Sequence, residues 1–313
     1  MATRATVPYY KQNRLKQLRA FCSSVRAGSI TEAAEALFLS QPSVSLQIQA
    51  LEREFGITLY ERRGPMIKLT PEGELLFQLA QPLVEGIDKL HETFAAHYGR
   101  LETGEVNIAA GESTILNILS GPVKQFAERY PGIRIKLHNV TGRDGLVMLR
   151  NDQADFAVGP LLQPTQEFVY RPVVTYHPTL ITPLGHPLAD KQTVTLEEIS
   201  AYPLILPPAH LSTWQLVDGA FRQHNLSYNI ALEAGGWEVI KRFVELGLGI
   251  SIVTDVCLTG DERLARIPLN EYFPNRSYGV VQRKGKFLSP QSQRFIELME
   301  SMLAGQNDEQ IRK

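Results

Sequence analysis

Apolar residues in the first part of the chain recur at helical spacing and predict three short helices close together. The first runs from Leu15 to about Arg26 and ends at Gly28. Ser29 is placed to cap the second helix, because its hydroxyl can accept from backbone N–H groups of the first turn. The adjacent Ala33 and Ala34 on the inner face of this helix allow another helix to approach closely.

The third predicted helix has an apolar face and a small, polar face. Ser40 is placed as its N-cap, and Pro42 falls in the first turn, where its missing N–H costs no hydrogen bond. The inward positions are Val44, Ile48, Leu51 and Phe55, and the outward positions are Pro42, Ser45, Leu46, Gln49 and Arg53. Two helices joined by a tight turn predict a helix-turn-helix whose outer residues enter a major groove. The alternative is a small helical subdomain with a solvated polar face.

Two short extended runs follow, at residues 57–62 and 66–70, with Gly64 and Pro65 as the turn between them. Arg62, Arg63 and Lys68 cluster on this predicted hairpin. The positive charges are typical of a wing that contacts phosphates beside the groove. A charged surface hairpin without a role is the alternative.

A long amphipathic helix is predicted from Pro71 to about Arg100. Its apolar stripe is spaced at three and four residues and comprises Leu76, Leu79, Leu83, Ile87, Leu90 and Phe94. A helix of this length needs a partner to cover such a stripe, either a second subunit or the C-terminal part of the same chain. Pro82 removes one backbone hydrogen bond and predicts a bend or break near residues 78–82.

Short strands alternate with helices in the last two hundred residues, and this alternation predicts α/β layers with largely parallel sheets. The extended candidates are Val106–Ala110, Ile133–Val140, Ala154–Gly159, Val169–Val174, Leu180–Thr182, Leu204–Leu206, Asn229–Glu233, Ile250–Val253, Leu264–Pro268 and Tyr278–Gln282. The helical candidates lie near 114–130, 142–151, 195–199, 211–224, 236–247 and 289–303.

Composition and charge narrow the function classes. The 313 residues are 43% hydrophobic and 21% charged, which is typical of a chain that buries real cores. The formal net charge of −1 hides an asymmetry, since residues 1–70 carry ten Lys/Arg against five Asp/Glu and the remainder is net negative. A basic N-terminal segment followed by an acidic remainder is expected when one end of the chain binds a polyanion.

Other features exclude membrane, secreted and catalytic classes. No apolar run reaches membrane-spanning length, and the start of the chain lacks a secretory h-region, so the expected location is the cytoplasm. Two cysteines provide neither a disulfide framework nor a zinc cluster, and no cofactor motif is present. The seven histidines include no HExxH motif, and no nucleophile–base pair is apparent. The chain is therefore predicted not to be an enzyme, with no catalytic or metal-binding residue.

The segment AGSITEAAEALFLSQPSVS, its continuation LEREFGITLYER and the helix start LTPEG resemble the N-terminal domain of LysR-type transcriptional regulators. The C-terminal segments FAERYPGIRIKLHNV, LGHPLAD and FVELGLGISIV resemble the same family more weakly. The resemblance implies a transcriptional regulator that binds double-stranded DNA, contacts RNA polymerase, forms a homodimer or homotetramer through the linker helix and answers to a small molecule.

The resemblance also implies DNA contacts at Gln41, Pro42, Ser45 and Leu46. A basic residue is frequent in the family where this chain has Leu46, so a changed half-site preference or a contact with a thymine methyl group is expected. The full set of expected DNA-binding residues is Gln41, Pro42, Ser43, Ser45, Leu46, Gln49, Arg53, Arg62, Arg63 and Lys68.

Four chain segments are placed to line a ligand cleft at the carboxyl ends of strands, where open α/β sheets bind ligands. Hydroxyl groups and free N–H groups at helix starts suit a carboxylate, sulfate or phosphate, although Ser and Thr also cap helices without any ligand. The expected effector-binding residues are Ser113, Thr114, Thr141, Gly142, His177, Ser212, Thr213, Gly235, Gly236 and Trp237. The segment GGWEVIKRFVELGLGI is similar to regulators of sulfur assimilation, which makes sulfate, sulfite and acetylserine candidate effectors.

The predicted fold class is α+β overall. A winged helix-turn-helix domain is expected at residues 1–71, a linker helix and hinge at 72–103, and an effector-binding domain similar to periplasmic binding proteins at 104–313. The last comprises subdomain I at about 104–175 and 277–303 and subdomain II at about 176–276. The alternatives are a ligand-binding protein without a role on DNA and a helical scaffold protein.

Overall fold

The chain divides into two compact units. The computed structural model describes residues 13–61, 67–90, 94, 103–160 and 166–310. Unit 1 comprises residues 1–100 with 285–289, and unit 2 comprises residues 101–284 with 290–313.

The part of unit 1 that the structure describes includes the helices α1 (Arg14–Ala27), α2 (Ile30–Ala36), α3 (Gln41–Phe55) and α4 (Pro71–Asp88). The predicted boundaries of the first three are confirmed, because the residues that stop and start them act as expected. Gly28 ends α1 in the left-handed conformation, at φ 68°. The Ser29 hydroxyl accepts from Thr31 N and Glu32 N at the start of α2, and the Ser40 hydroxyl accepts from Ser43 N at the start of α3.

The core of unit 1 lies where α1, α2, α3 and the start of α4 meet. Ala33 and Ala34 are buried as predicted, and the largest buried side chains include Phe21, Leu51 and Leu59. Phe55 was predicted to point inward, but its side chain is 42% exposed because α3 ends there, at Gly56. Ion pairs from Arg14 to Glu54 and from Arg19 to Asp88 join α1 to α3 and α4.

The flanks of the predicted hairpin between α3 and α4 pair in antiparallel fashion, while its predicted turn at Gly64 and Pro65 lies outside the described residues. Tyr60 pairs with Leu69, and Glu61 N donates to Lys68 O over 2.8 Å. The Thr70 hydroxyl then accepts from Gly73 N and caps α4. The helix continues through Pro82, so it is not broken there, and the predicted bend near residues 78–82 stays a prediction. It ends at Asp88, and the predicted extension to Arg100 falls mostly outside the described residues.

Subdomain I of unit 2 is built on a five-stranded sheet. Its strands are β1 (Gly104–Ala110), β2 (Ile133–Asn139), β3 (Phe156–Gly159), β4 (Phe168–Tyr176) and β10 (Arg276–Arg283), in the order β2-β1-β3-β10-β4. The pairs of β1 with β2 and β3 are parallel, whereas β10 runs antiparallel to both β3 and β4.

Subdomain II repeats this arrangement with the remaining strands. They are β5 (Pro178–Pro183), β6 (Leu204–Leu206), β7 (Ile230–Glu233), β8 (Ser251–Thr254) and β9 (Leu264–Pro268). The β6–β7 pair is parallel, β5 lies antiparallel to β8 and β9, and a parallel bridge from Leu204 to Ile250 joins the two groups. In each subdomain four strands therefore run in one direction, as the prediction of largely parallel sheets requires, and one strand that enters from the other subdomain, β10 or β5, runs opposite to them.

Within the described residues of unit 2, six helices pack on these sheets. They are α5 (Ser120–Arg129), α6 (Gly142–Arg150), α7 (Leu196–Ser200), α8 (Ser212–Gln223), α9 (Trp237–Glu245) and α10 (Pro290–Gln310). A helical turn, Glu112–Thr114, and a π-helical segment, Ile115–Leu119, precede α5. Across the described ranges, no helix has the length and apolar character needed to cross a membrane.

The chain passes between the two subdomains twice, at short segments close to the predicted positions. The first passage is His177, between β4 and β5, and the second is residues 269–275, between β9 and β10. The segments that follow the carboxyl ends of β1 and β7 lie close together, since a Cβ at Gly236 would be 3.1 Å from Glu112 Oε2. A single cleft lined by the carboxyl ends of β1, β2, β6 and β7 stays a prediction.

Candidate nucleic-acid and effector sites

The outward side of α3 presents the predicted DNA-contacting residues together. Gln41, Pro42, Leu46, Gln49 and Arg53 are exposed, and Ser43 and Ser45 are partly exposed. Their spacing puts them on one face of the helix, opposite the buried Val44, Ile48 and Leu51. The Ser43 hydroxyl lies 2.8 Å from the Ser40 hydroxyl, so Ser43 also belongs to the helix start.

Of the three basic residues predicted on the wing, one lies within the residues that the structure describes. Lys68 is exposed, and its Nζ lies 2.8 Å from Glu61 Oε2. An ion pair of this kind on a surface is weak, so Lys68 can exchange Glu61 for a phosphate at little cost. Arg62 and Arg63, the other predicted wing residues, lie outside the described residues.

Sequence reasoning missed Phe38, in the turn between α2 and α3. Its side chain is 96% exposed and its backbone is left-handed, at φ 53°. A bulky residue rarely adopts this conformation, and no local motif indicates it. Phe38 lies just before the start of α3, beside the predicted DNA-contacting face.

The α4 helix carries an uncovered apolar face. Leu75, Leu79, Leu83 and Ile87 recur every four residues and are exposed, as are Leu90 and Phe94 beyond them. Leu76 was predicted to belong to this stripe, but it is buried in the core of unit 1. An uncovered apolar face of this length is typical of a surface that another helix covers.

On the subdomain I wall of the cleft, the predicted residues follow β1 and β2. Ser113 is partly exposed and Thr114 is buried, in the turn that precedes the π-helical segment. Thr141 caps α6, because its hydroxyl accepts from Asp144 N and donates to Asp144 Oδ2 over 2.7 Å. The Thr141 hydroxyl is therefore already engaged, and Gly142 beside it is exposed.

On the subdomain II wall, Ser212 and Thr213 begin α8 and do not cap it. The N-cap residue is Leu211, without a side-chain hydrogen bond. Both hydroxyls instead accept from Arg276, with Nη1 2.9 Å from Thr213 Oγ1 and Nη2 2.9 Å from Ser212 Oγ. Arg276 was not predicted from the sequence, because it lies more than sixty residues along the chain from Ser212 and Thr213 and belongs to no motif.

Gly235, Gly236 and Trp237 begin α9, at the end of β7. Gly236 has φ 85°, and a Cβ there would lie 3.1 Å from Glu112 Oε2 across the cleft. Glycine is therefore favoured at this position by its backbone conformation, and a larger residue would also need the Glu112 side chain to shift by a few tenths of an ångström. Gly235 is exposed, whereas Trp237 is partly buried and packs against the cluster beneath α9.

His177 lies in the first passage between the subdomains and is held on several sides. Its N–H donates to Asp255 Oδ1 over 2.8 Å, its carbonyl accepts from Asp255 N, and its Nδ1 lies 3.0 Å from Asn275 Oδ1. Burial raises the pKa of Asp255, although the His177 hydrogen bond opposes that shift. His177 thus joins the two passages, and its described contacts are with the protein itself.

A cavity of about 370 Å³ lies beside the passages, within the usual volume range of ligand pockets. Asn117, Tyr176, Asp255, Thr259 and Arg266 provide its polar lining. None of the predicted effector residues lines it. Arg266 is paired with Glu262, with Nη2 2.6 Å from Oε2, so the cavity offers no unpaired cation among the residues described.

Metal-ion and thiol chemistry find no support in the described ranges. No group of three or more His, Cys, Asp or Glu side chains there could hold a metal ion. Cys22 and Cys257 are both buried and unbridged, and burial raises the pKa of the Cys257 thiol to about 12. A thiol with such a pKa is a poor nucleophile at neutral pH.

Comparisons with known proteins agree with this geometry. The profile "Bacterial regulatory helix-turn-helix protein, lysR family" matches residues 15–74, and the profile "LysR substrate binding domain" matches residues 99–304. The chain is 30% identical to the HTH-type transcriptional regulator CysB of Burkholderia cenocepacia, over 92% of the chain and 94% of that protein. It is 31% identical to the transcriptional activator CmpR of Synechocystis sp., over 92% and 95%. A full-length OxyR variant from Pseudomonas aeruginosa has the same fold, with a TM-score of 0.65 at 19% identity over 93% of the chain and 97% of OxyR.

Proposed function

Because the chain belongs to the LysR family of bacterial transcriptional regulators, we propose that α3 reads a major groove of its operator and that a small anionic metabolite in the cleft of unit 2 controls it. The DNA-binding part of this proposal rests on the outward side of α3, where polar side chains and Leu46 are exposed together. A regulator of this kind acts on chromosomal DNA, so we place it in the cytoplasm.

The proposed assembly is a homodimer or homotetramer held by α4. The exposed stripe of Leu75, Leu79, Leu83 and Ile87 supports this, because two such stripes cover each other in a helix pair. Two copies of α3 then dock into successive major grooves, one helical turn apart. We further propose that the bound regulator contacts RNA polymerase.

The proposed effector is a small molecule or ion that carries a sulfate-like or carboxylate group, with sulfate, sulfite and acetylserine as candidates. Support comes from the helix starts at the carboxyl ends of β1, β2, β6 and β7, where free N–H groups favour negative charge. The relatives CysB and CmpR are 30% and 31% identical to the chain, and these identities do not select one effector.

A mobility-shift titration of the full chain on a duplex from its own promoter tests the DNA-binding proposal. The expected result is sequence-preferring binding whose affinity falls steeply between 50 and 200 mM salt, on the order of 10³-fold or more if six or more phosphates are contacted. Failure to bind genomic fragments even at low ionic strength would contradict it. A chain that binds metabolites but no DNA would support the alternative, a ligand-binding protein without a role on DNA.

A further inference from the structure

Arg276 is a buried cation in an unusual environment. It is the first residue of β10 and is only 9% exposed. Its two terminal nitrogens donate to the hydroxyls of Thr213 and Ser212, over 2.9 Å each. Its Nε is buried and has no hydrogen-bond partner. Among the residues described, no carboxylate pairs with this guanidinium, so its charge is solvated only by two neutral hydroxyl groups.

Two other cations of unit 2, one buried and one mostly buried, are each paired with a carboxylate. Lys241 is 4% exposed, and its Nζ lies 2.8 Å from both Glu262 Oε1 and Glu238 Oε1. Arg283 has its Nη2 3.0 Å from Asp152 Oδ1. A buried charge without such a partner is costly, because hydroxyl dipoles replace only part of its hydration. Arg276 therefore lacks the anion that the other two possess.

The helix start beside Arg276 adds to this positive potential. The first N–H groups of an α-helix carry partial positive charge, and α8 has neither a side-chain cap nor an acidic residue in its first turn. The other three helix starts at the cleft each carry an acid in the first turn: Glu112, Asp144 and Glu238. The start of α8 is thus the one among these four where nothing opposes a bound anion.

We propose that Arg276 and the start of α8 form the anion-recognition site of the cleft. The ligand class is an oxyanion group, either a carboxylate or a sulfate-like group, which share the geometry that a guanidinium binds. The hydroxyls of Ser212 and Thr213 take part because each accepts from Arg276 and keeps its own O–H to donate to the anion. The inference rests on the proposed effector function and assigns the charge of the effector to one side of the cleft.

The test uses the full chain, with thermal unfolding followed at constant ionic strength. Sodium sulfate, sodium sulfite, sodium acetate and the sodium salt of acetylserine are compared with sodium chloride. The expected result is that at least one anion raises Tm by about 5–10 °C at a hundredfold excess over its Kd. A response to sulfate or sulfite alone identifies an inorganic ligand, and a response to the organic acids alone identifies a carboxylate.

Three variants locate the site. Arg276→Gln is expected to abolish the Tm rise, and Arg276→Lys to weaken it at least tenfold in Kd, because lysine keeps the charge but loses the planar fork. Arg266→Gln is the matched control, since Arg266 lines the separate cavity and is already paired with Glu262. It is expected to retain the full response.

The unliganded variants provide a readout that a purely structural arginine would not give. Removing an uncompensated buried charge is expected to leave the Tm of unliganded Arg276→Gln equal to or above that of the wild type, with DNA binding retained in the absence of anion. A large loss of Tm or failure to fold would show that Arg276 is structural and overturn the proposal. The double variant Ser212→Ala/Thr213→Val, which keeps the charge, is expected to bind the anion more weakly.

The remaining outcomes separate this inference from the proposed function. An anion response that persists in Arg276→Gln, or disappears in Arg266→Gln, overturns the role of Arg276 and leaves the regulator proposal in place. If none of the anions changes the Tm of the wild type, both this site and the anionic effector are wrong. Loss of DNA binding by the wild type bears on the proposed function alone.

Discussion

Among single residues, Leu46 sets the expected base preference. Its side chain is 60% exposed on the outward side of α3, where it can contact a thymine methyl group. We expect Leu46→Ala to reduce discrimination at one operator position by about fivefold to tenfold, which corresponds to about 1 kcal/mol of a base contact. Mobility shifts on a set of single-base operator variants measure this change.

The control for Leu46 is Leu184→Ala, the same substitution at a leucine exposed in unit 2. It is expected to leave every affinity unchanged. If Leu46→Ala binds all operator variants with the same preference as the wild type, the proposed methyl contact does not exist.

Glu262 provides a prediction about acid stability. Burial alone would raise its pKa, but hydrogen bonds from Lys241 and from the backbone of Thr259 and Gly260 lower the pKa to about 2. A carboxyl whose pKa is lowered on folding stabilises the protein above its unfolded pKa of about 4.5 and loses that contribution as pH falls toward 2. Glu262→Gln should therefore reduce the free energy of unfolding by about 3 kcal/mol at pH 7, since it leaves Lys241 with one carboxylate fewer.

Urea unfolding of unit 2 between pH 7 and pH 2 measures this difference. The gap between Glu262→Gln and the wild type should close progressively below about pH 4.5. Glu297→Gln is the matched control, because Glu297 pairs with Arg294 on the surface and should matter by less than about 1 kcal/mol. A gap that is constant with pH would contradict the shifted pKa of Glu262.

The residues that sequence reasoning placed correctly are those governed by local rules. Ser29 and Ser40 cap their helices, and Thr141 caps α6, because each acts on an N–H within three residues. Arg276 was not found, because its partners Ser212 and Thr213 are brought to it only by the return of the chain from β9 to β10. Spacing along the sequence contains no signal of such a contact.

At the scale of elements, α4 determines the expected assembly. The double variant Leu83→Glu/Ile87→Glu places two charges in the exposed apolar stripe, where a partner helix would have to bury them. We expect it to be smaller than the wild type by light scattering and to bind the operator at least a hundredfold more weakly, because the two copies of α3 are no longer linked.

The control for α4 is Gln78→Glu, an exposed polar position about a quarter turn from the stripe. This variant should keep both the wild-type mass and the wild-type affinity. An unchanged mass in the double variant would show that another surface holds the subunits together.

The positions of helices and strands were predictable, whereas the reversed directions of β5 and β10 were not. The alternation of strands and helices matched all ten strands of unit 2, within about two residues at most ends. The directions of β5 and β10 depend on which subdomain each strand enters after a passage. Pro82 is another position where a local rule was not sufficient. Its missing N–H removes one backbone hydrogen bond, but the packing of α4 in the core of unit 1 keeps the helix continuous.

For the whole molecule, the effector is expected to change the shape of the complex with DNA more than its strength. A ligand that binds one subunit arrangement tenfold more tightly shifts the equilibrium between the two arrangements by about 1.4 kcal/mol, which is enough to alter a DNA bend. Nuclease footprints with and without the anion that raises Tm should differ in their hypersensitive bands. An identical footprint at saturating anion would count against this mode of control.

The placement of Arg276 has a practical consequence. Its side chain hydrogen-bonds to the start of α8, while its backbone pairs with Tyr176 and begins β10, which lies between β3 and β4. In the proposed site, one residue thus contacts both the anion-binding helix start and the five-stranded sheet. Substitutions around the start of α8 should therefore change which compound the protein binds, while the contacts of Arg276 with the five-stranded sheet stay the same.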